Sequence, residues 1–153
     1  MSKTITITGA ELAAASIAIE RHKAELKGRD LADACVRNKR IFKGELEVIW
    51  ELCDSEILKG FSVKQQELLQ KYGAVPREDG SATLPSTKDL APYLRDLEEI
   101  RTAEIKDEQK RIQEISADWE KREFHLELHA VKRDDLPSDI SVEVLESLLP
   151  FVE

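Results

Sequence analysis

Two long, charge-rich stretches with helical patterning, separated by one glycine- and proline-marked segment, constrain this fold most. The first covers about 10–72 and the second about 86–122, with GAVPREDGSATLP at 73–85 between them. Two helical stretches joined by a short loop favour an antiparallel hairpin. The sequence therefore predicts a mainly α fold with three main helices and a short C-terminal helix, in which a long antiparallel helical hairpin spans 10–122 with its tip at 73–85.

Length and composition agree with an elongated helical protein. The 153 residues suit a single domain over 1–153. Charged residues make up 35% of the chain, well above the usual quarter, and aromatic residues only 5%. This profile is typical of helices with a narrow apolar stripe and a wide solvated surface.

Glycines and cap residues suggest where the helices divide. Gly28 followed by Asp30 predicts a break in the first stretch, because glycine ends helices and aspartate begins them. Gly44 predicts close helix packing, and Gly60 a kink. In the second stretch the sequence predicts one helix, capped by Ser86 or Thr87, whose apolar stripe runs from Leu90 to Trp119.

The two ends of the chain carry strand patterns. Isoleucine alternates with threonine in KTITIT, and Phe124, Leu126 and Leu128 alternate with polar residues. Because an isolated strand leaves its backbone unpaired, we expect the two segments to form a small two-stranded β element. Ser141 is placed to cap the short final helix. The segments 1–9 and 123–153 are thus predicted to form a small β/α head.

The charge balance argues against direct nucleic-acid binding. The chain has 31 acidic and 23 basic residues and a net charge of -8, which disfavours contact with phosphates or anionic membranes. An acidic inhibitor that mimics nucleic acid is an alternative, although the interleaving of both charge signs weakens it. The basic segment RNKRIFK at 37–43 either contacts phosphates or forms the polar side of a helix.

Cysteine spacing and hydropathy point to the cytoplasm. Cys35 and Cys53 lie 18 residues apart on one predicted helix, so their Cα atoms should be about 27 Å apart, too far for a disulfide. The N-terminus lacks a signal-peptide pattern, and no apolar run reaches the length of a membrane span.

The only chemical cluster that the sequence suggests is His125, Glu127 and His129. On a strand these side chains share one face, and two imidazoles with a carboxylate suit Zn²⁺ or a similar ion. A solvent-exposed polar strand face explains the same pattern. The sequence contains no nucleophile elbow and no glycine-rich phosphate loop, so we expect no catalytic residues and no cofactor. Trp50 and Phe61 are the predicted contacts for a partner.

Three short motifs occur in order along the chain: LKG at 26–28 with basic residues after it, KYG followed by an acidic DG loop, and a closing apolar helix. In these motifs the chain resembles a family of small helical proteins of unestablished function encoded by tailed bacteriophages and prophages. Arg29, Asp30 and Leu31 replace the serine-arginine run usual after LKG. The resemblance implies a phage or prophage origin and action in the host cell cytoplasm, and it supplies no catalytic residue.

These observations favour a non-enzymatic protein-interaction protein. In a phage setting it would act in virion assembly or bind and modulate a host protein. Its partner is then a phage or host protein, and a second copy of the chain is a further candidate. The alternatives are a metal-binding module or metal-dependent enzyme centred on His125, and the acidic mimic of nucleic acid.

Overall fold

The computed structural model describes residues 2–85 and 89–153 and has a mainly α fold, as predicted. Within these residues the chain forms six α-helices and four strands, in the order β1 (Ser2–Thr8), α1 (Gly9–Arg21), α2 (Arg29–Cys53), α3 (Glu56–Lys71), β2 (Val75–Pro76), β3 (Ala82–Thr83), α4 (Ala91–Ile100), α5 (Ala103–Lys121), β4 (Glu123–His129) and α6 (Val142–Leu148). Short 3₁₀ helices lie at Lys23–Glu25, Arg133–Asp135 and Leu149–Phe151. The predicted cap at Ser86 or Thr87 lies outside the described residues.

The two ends of the chain form an antiparallel sheet, as their alternating patterns predict. Strand β1 pairs with β4 in a register that runs from Ser2 opposite His129 to Thr8 opposite Glu123. Ile7, Phe124 and Leu128 are buried on the side that faces the helices. The sheet therefore joins the first and last segments of the chain around one core.

Strand β1 passes directly into α1 through a reciprocal cap. The Thr8 hydroxyl accepts a hydrogen bond from the Glu11 amide at 3.2 Å, and the Glu11 carboxylate accepts one from the Thr8 amide at 2.9 Å. This capping box satisfies two of the amides that a helix N-terminus leaves free. The next residue, Gly9, donates its amide to the Arg122 carbonyl at 3.0 Å, which ties the start of α1 to the end of α5.

The chain divides into two compact units. The first comprises Met1–Cys53 and Ile115–Glu153, and the second comprises Asp54–Glu114. The first unit holds the larger apolar core, in which α1, α2 and α6 pack around the β1–β4 sheet. Phe42 of α2 and Phe151 lie at its centre with ring centroids 6.2 Å apart. Both residues are at most 1% exposed.

The second unit is built on the packing of α3 against α4. The Tyr72 hydroxyl donates to the Asp96 carboxylate at 2.6 Å, and the ring of Tyr72 meets that of Tyr93 edge to face at 5.8 Å. The predicted hairpin tip contains the two-residue strands β2 and β3, which pair with each other.

Among the described residues of the whole chain, no helix is both long enough and apolar enough to cross a membrane.

The helical stretches are divided at more places than the sequence patterns indicate. The predicted break at Gly28 is present, with φ of 103°. Two further breaks arise where a hydroxyl caps a new helix: the Ser55 hydroxyl accepts from the Leu58 amide, and the Thr102 hydroxyl accepts from the Ile105 amide. The second stretch is therefore two helices, α4 and α5, rather than one.

The expectation for one of the two helical glycines needs correction. The close helix packing predicted at Gly44 is wrong, because a Cβ at this position would meet no atom of a neighbouring described element within 4 Å. Gly60 lies inside α3 (Glu56–Lys71), where a Cβ would likewise meet no atom of a neighbouring described element within 4 Å, and the kink expected there stays a prediction. The close approach occurs at Gly9, where a Cβ would lie 2.1 Å from the Trp119 carbonyl oxygen.

Candidate functional site

An open groove of about 640 Å³ lies between α1 and α2 in the first unit. Its apolar lining includes six side chains: Ile19, Leu26, Cys35, Val36, Leu46 and Trp50. Its basic lining consists of Lys23, Lys39, Arg40 and Lys43. No acidic side chain belongs to the described lining. The groove therefore combines an apolar floor with a cationic rim.

The groove forms because α2 carries two adjacent stripes of side chains, of which one packs into the core and the other lines the groove. One stripe turns into the core and is buried, with members such as Leu31, Phe42 and Ile49. The neighbouring stripe faces the groove: its Cys35 and Leu46 are themselves buried, whereas Val36 is 50% and Trp50 59% exposed. Helix α1 covers only part of this second stripe, so apolar atoms remain open to solvent beside α2.

Trp50 lies at one end of the groove, where its large aromatic side chain is accessible to a partner. Its side chain is 59% exposed although tryptophan is mostly buried in folded proteins. Phe61, the other predicted contact, is only 8% exposed on α3 of the second unit. The structure thus places the two predicted contact residues in different units, and Trp50 alone lines the groove.

The cations of the groove are only partly neutralised by the chain itself. Glu20 pairs with Lys39 and, at 3.2 Å, with Lys23. Lys43 reaches Glu47 at 3.7 Å. Arg40 makes no hydrogen bond or ion pair with any described residue. Four cations therefore face two carboxylates, which leaves the groove positive on a chain whose net charge is -8.

Cys35, the thiol on the groove floor, is not an activated nucleophile. Cys35 is 1% exposed, and burial raises the pKa of its thiol to about 11. A thiol with such a pKa stays protonated at neutral pH and reacts poorly. Cys53 is half-buried, and both cysteines are free, as predicted from their spacing on one helix.

The structure places His125, Glu127 and His129 on one face of β4, as the strand pattern implies. Successive side chains on that face are about 6.7 Å apart, so the two histidines stand roughly 13 Å apart along the strand. The Nδ1 atom of His125 lies 2.9 Å from the Thr6 hydroxyl on β1. In the described part of the chain, no group of three or more histidine, cysteine, aspartate or glutamate side chains is arranged to hold a metal ion.

Comparison with known proteins gives no relative. No family model, no curated protein and no solved structure matches this chain. What the protein does is therefore inferred from the groove and from the chemistry of its lining.

Most residues of the groove escaped prediction from the sequence. Trp50 was expected to contact a partner, but Val36 and Leu46 were not, and Arg40 was assigned to the polar side of a helix or to phosphate contact. A usable signal existed, since Cys35, Lys39 and Lys43 recur at helical spacing on a stripe beside the core stripe. Which stripe α1 would leave open depends on tertiary packing.

Proposed function

We propose that this chain is a non-enzymatic protein-interaction protein that binds its partner through the groove between α1 and α2. The observation that carries the proposal is Trp50, a tryptophan 59% exposed at the end of an apolar groove. Exposed aromatic residues beside apolar pockets are typical anchors of protein interfaces, because they bury a large apolar area and lose little side-chain entropy.

Two further features support binding rather than catalysis. Apart from Ser16, the side chains that line the groove are apolar or cationic, and its one thiol has a raised pKa. General acid-base chemistry most often uses histidine or a carboxylate, and the described lining contains neither. The apolar floor instead gains free energy when a partner displaces water from it.

We place this activity in the cytoplasm of a bacterial host. The basis is the resemblance to small helical phage and prophage proteins, whose motifs lie at 26–28, in the KYG and acidic DG loop, and in the closing helix. In that setting the partner is a phage protein during virion assembly or a host protein whose activity is modulated.

Site-specific photo-cross-linking tests the proposal. A photoreactive phenylalanine analogue is placed at position 50 and, as the matched control, at position 52. Leu52 is on the same helix and is 51% exposed, but it does not belong to the groove lining. We expect discrete cross-linked species from position 50 only. Identical species from both positions, or none from position 50, would argue against the groove as the binding surface.

A further inference from the structure

The arrangement of the lining along α2 suggests which partner the groove accepts. Apolar residues occupy both ends of the α2 lining, Cys35 and Val36 at one end and Leu46 and Trp50 at the other. The basic residues Lys39, Arg40 and Lys43 lie between them. The groove is therefore apolar, then cationic, then apolar along the helix axis.

The length of the groove fits a helix better than a small ligand. Its α2 lining extends from Ala32 to Trp50. At about 1.5 Å per residue this corresponds to roughly 27 Å, or about five helical turns. A helix laid along such a groove presents its apolar side chains at spacings of three and four residues, which is a common mode of peptide recognition.

The charge of the groove selects among helices. The positive charge is concentrated at the centre of the groove, and Arg40 has no partner among the described residues. The chain as a whole is negative at -8, but charges more than about 8 Å from the bound helix are largely screened at physiological salt. The local cations therefore decide the preference of a helix in the groove.

We propose that the groove binds an amphipathic α-helix of a partner protein whose central turns carry aspartate or glutamate and whose two ends carry apolar anchors. This inference rests on the proposed function, since it names the class of partner for the same surface. The apolar ends of the helix pack on Val36 and Trp50, and its central carboxylates pair with Arg40 and Lys43. A nucleic-acid strand lacks the apolar side chains that the two ends of the groove would bury.

A displayed library of helical peptides tests this inference. Each peptide is about 18 residues long, the length that spans the groove. The positions on one face are randomised among Leu, Phe, Glu, Gln and Lys. The library is selected on the full chain. We expect the enriched helices to carry acidic residues in their central turns and apolar residues at both ends.

A pair of charge-reversal variants then tests the role of the cations. The affinity of the best helix for Arg40→Glu should be at least about tenfold lower than for the original chain, because one attractive charge contact is replaced by a repulsive one. Arg29→Glu changes the net charge of the same helix equally but lies outside the groove lining. We expect its affinity for the same helix to be nearly unchanged.

Several outcomes would overturn the inference, and they separate it from the proposed function. Enriched helices without an acidic centre, or equal effects of the two charge reversals, would show that the groove docks helices without this charge preference. If no helix is enriched but position 50 still cross-links, the inference that the partner segment is a helix is rejected, and the proposed function stands. If a single-stranded deoxythymidine oligonucleotide binds the original chain but not Arg40→Glu, the partner is a nucleic acid and not a helix.

Discussion

The side-chain amide of Asn38 on α2 makes two hydrogen bonds to the backbone of His129 at the end of β4. Its Nδ2 donates to the His129 carbonyl at 2.9 Å, and its Oδ1 accepts from the His129 amide at 2.7 Å. Asn38 is fully buried, so it takes the place that the backbone of a neighbouring strand would fill. This contact fixes the helix that carries the groove to the sheet formed by the chain ends.

Replacing Asn38 should therefore destabilise the first unit strongly. Asn38→Leu leaves the His129 amide and carbonyl without partners, and we expect a loss of about 2–3 kcal/mol in the free energy of unfolding. Urea unfolding followed by tryptophan fluorescence measures this loss, because Trp50 and Trp119 both lie in the first unit. A loss indistinguishable from zero would show that the two hydrogen bonds contribute nothing to stability.

Asn38→Asp provides a more specific test of the same contact. A protonated carboxyl reproduces the donor and the acceptor of the amide, whereas a buried carboxylate lacks the donor and is costly to desolvate. Burial raises the pKa of such a carboxyl in the folded state above its unfolded value, so its protonation favours folding. We expect the stability gap between this variant and the original chain to narrow as pH falls. A gap that stays constant or widens would contradict the assignment.

Two glycine substitutions should have opposite effects on stability. In Gly9→Ala the new Cβ would lie 2.1 Å from the Trp119 carbonyl oxygen, so the backbone must shift, and we expect a loss of about 3 kcal/mol. In Gly44→Ala the new Cβ meets no neighbouring described element, and alanine should stabilise α2 by about 0.5–1 kcal/mol. Thermal unfolding of both variants compares the signs directly. Similar changes in the two variants would refute the close contact between α1 and Trp119.

The second unit should become less stable in acid through Glu108. Its hydrogen bonds to Arg111, which has the larger effect, and to Ser55 lower the pKa of this carboxyl from 4.5 to about 2. Because this pKa is lower in the folded than in the unfolded chain, Glu108 contributes its full stabilisation at pH values above 4.5. That contribution is lost as the pH falls from 4.5 towards about 2. We expect Glu108→Gln to flatten the fall in melting temperature over this range. Glu114→Gln, which removes an exposed acid from the same helix, should leave the fall unchanged.

The face of β4 that carries His125, Glu127 and His129 should not hold a structural metal ion. Their spacing along an extended strand is too long for both histidines to reach one ion. We therefore expect elemental analysis of protein purified without an affinity tag to find no stoichiometric zinc, and EDTA to leave the melting temperature unchanged. Bound zinc that disappears in His125→Ala would instead establish the metal-binding alternative.

The sequence predicted elements that depend on local pattern. The alternation in KTITIT and in 124–129 was enough to predict the terminal sheet, and Gly28 and Ser141 marked real helix boundaries. The boundaries at Ser55 and Thr102 were missed because a single capping hydroxyl made each of them inside a continuous helical pattern. Hydroxyl residues inside charged stretches are common, so the pattern alone does not distinguish the ones that cap.

The groove was harder to predict because it is a property of two helices together. Asn38 and Arg40 stand two residues apart in the same basic segment, yet Asn38 is fully buried and Arg40 is exposed on the groove. Their difference follows from the 100° rotation per residue of an α-helix and from which side of α2 meets β4. Neither fact is available before the packing of the first unit is known.

Two valine substitutions on α2 test the central claim, that the groove between α1 and α2 is the binding surface, most directly. Val36 and Val48 lie on the same helix and are each 50% exposed, but only Val36 lines the groove. The affinity of the best library-derived helix is measured by isothermal titration calorimetry for Val36→Gln and Val48→Gln. The account predicts that Val36→Gln weakens binding about tenfold and that Val48→Gln leaves it nearly unchanged. Equal affinities for the two variants would contradict it.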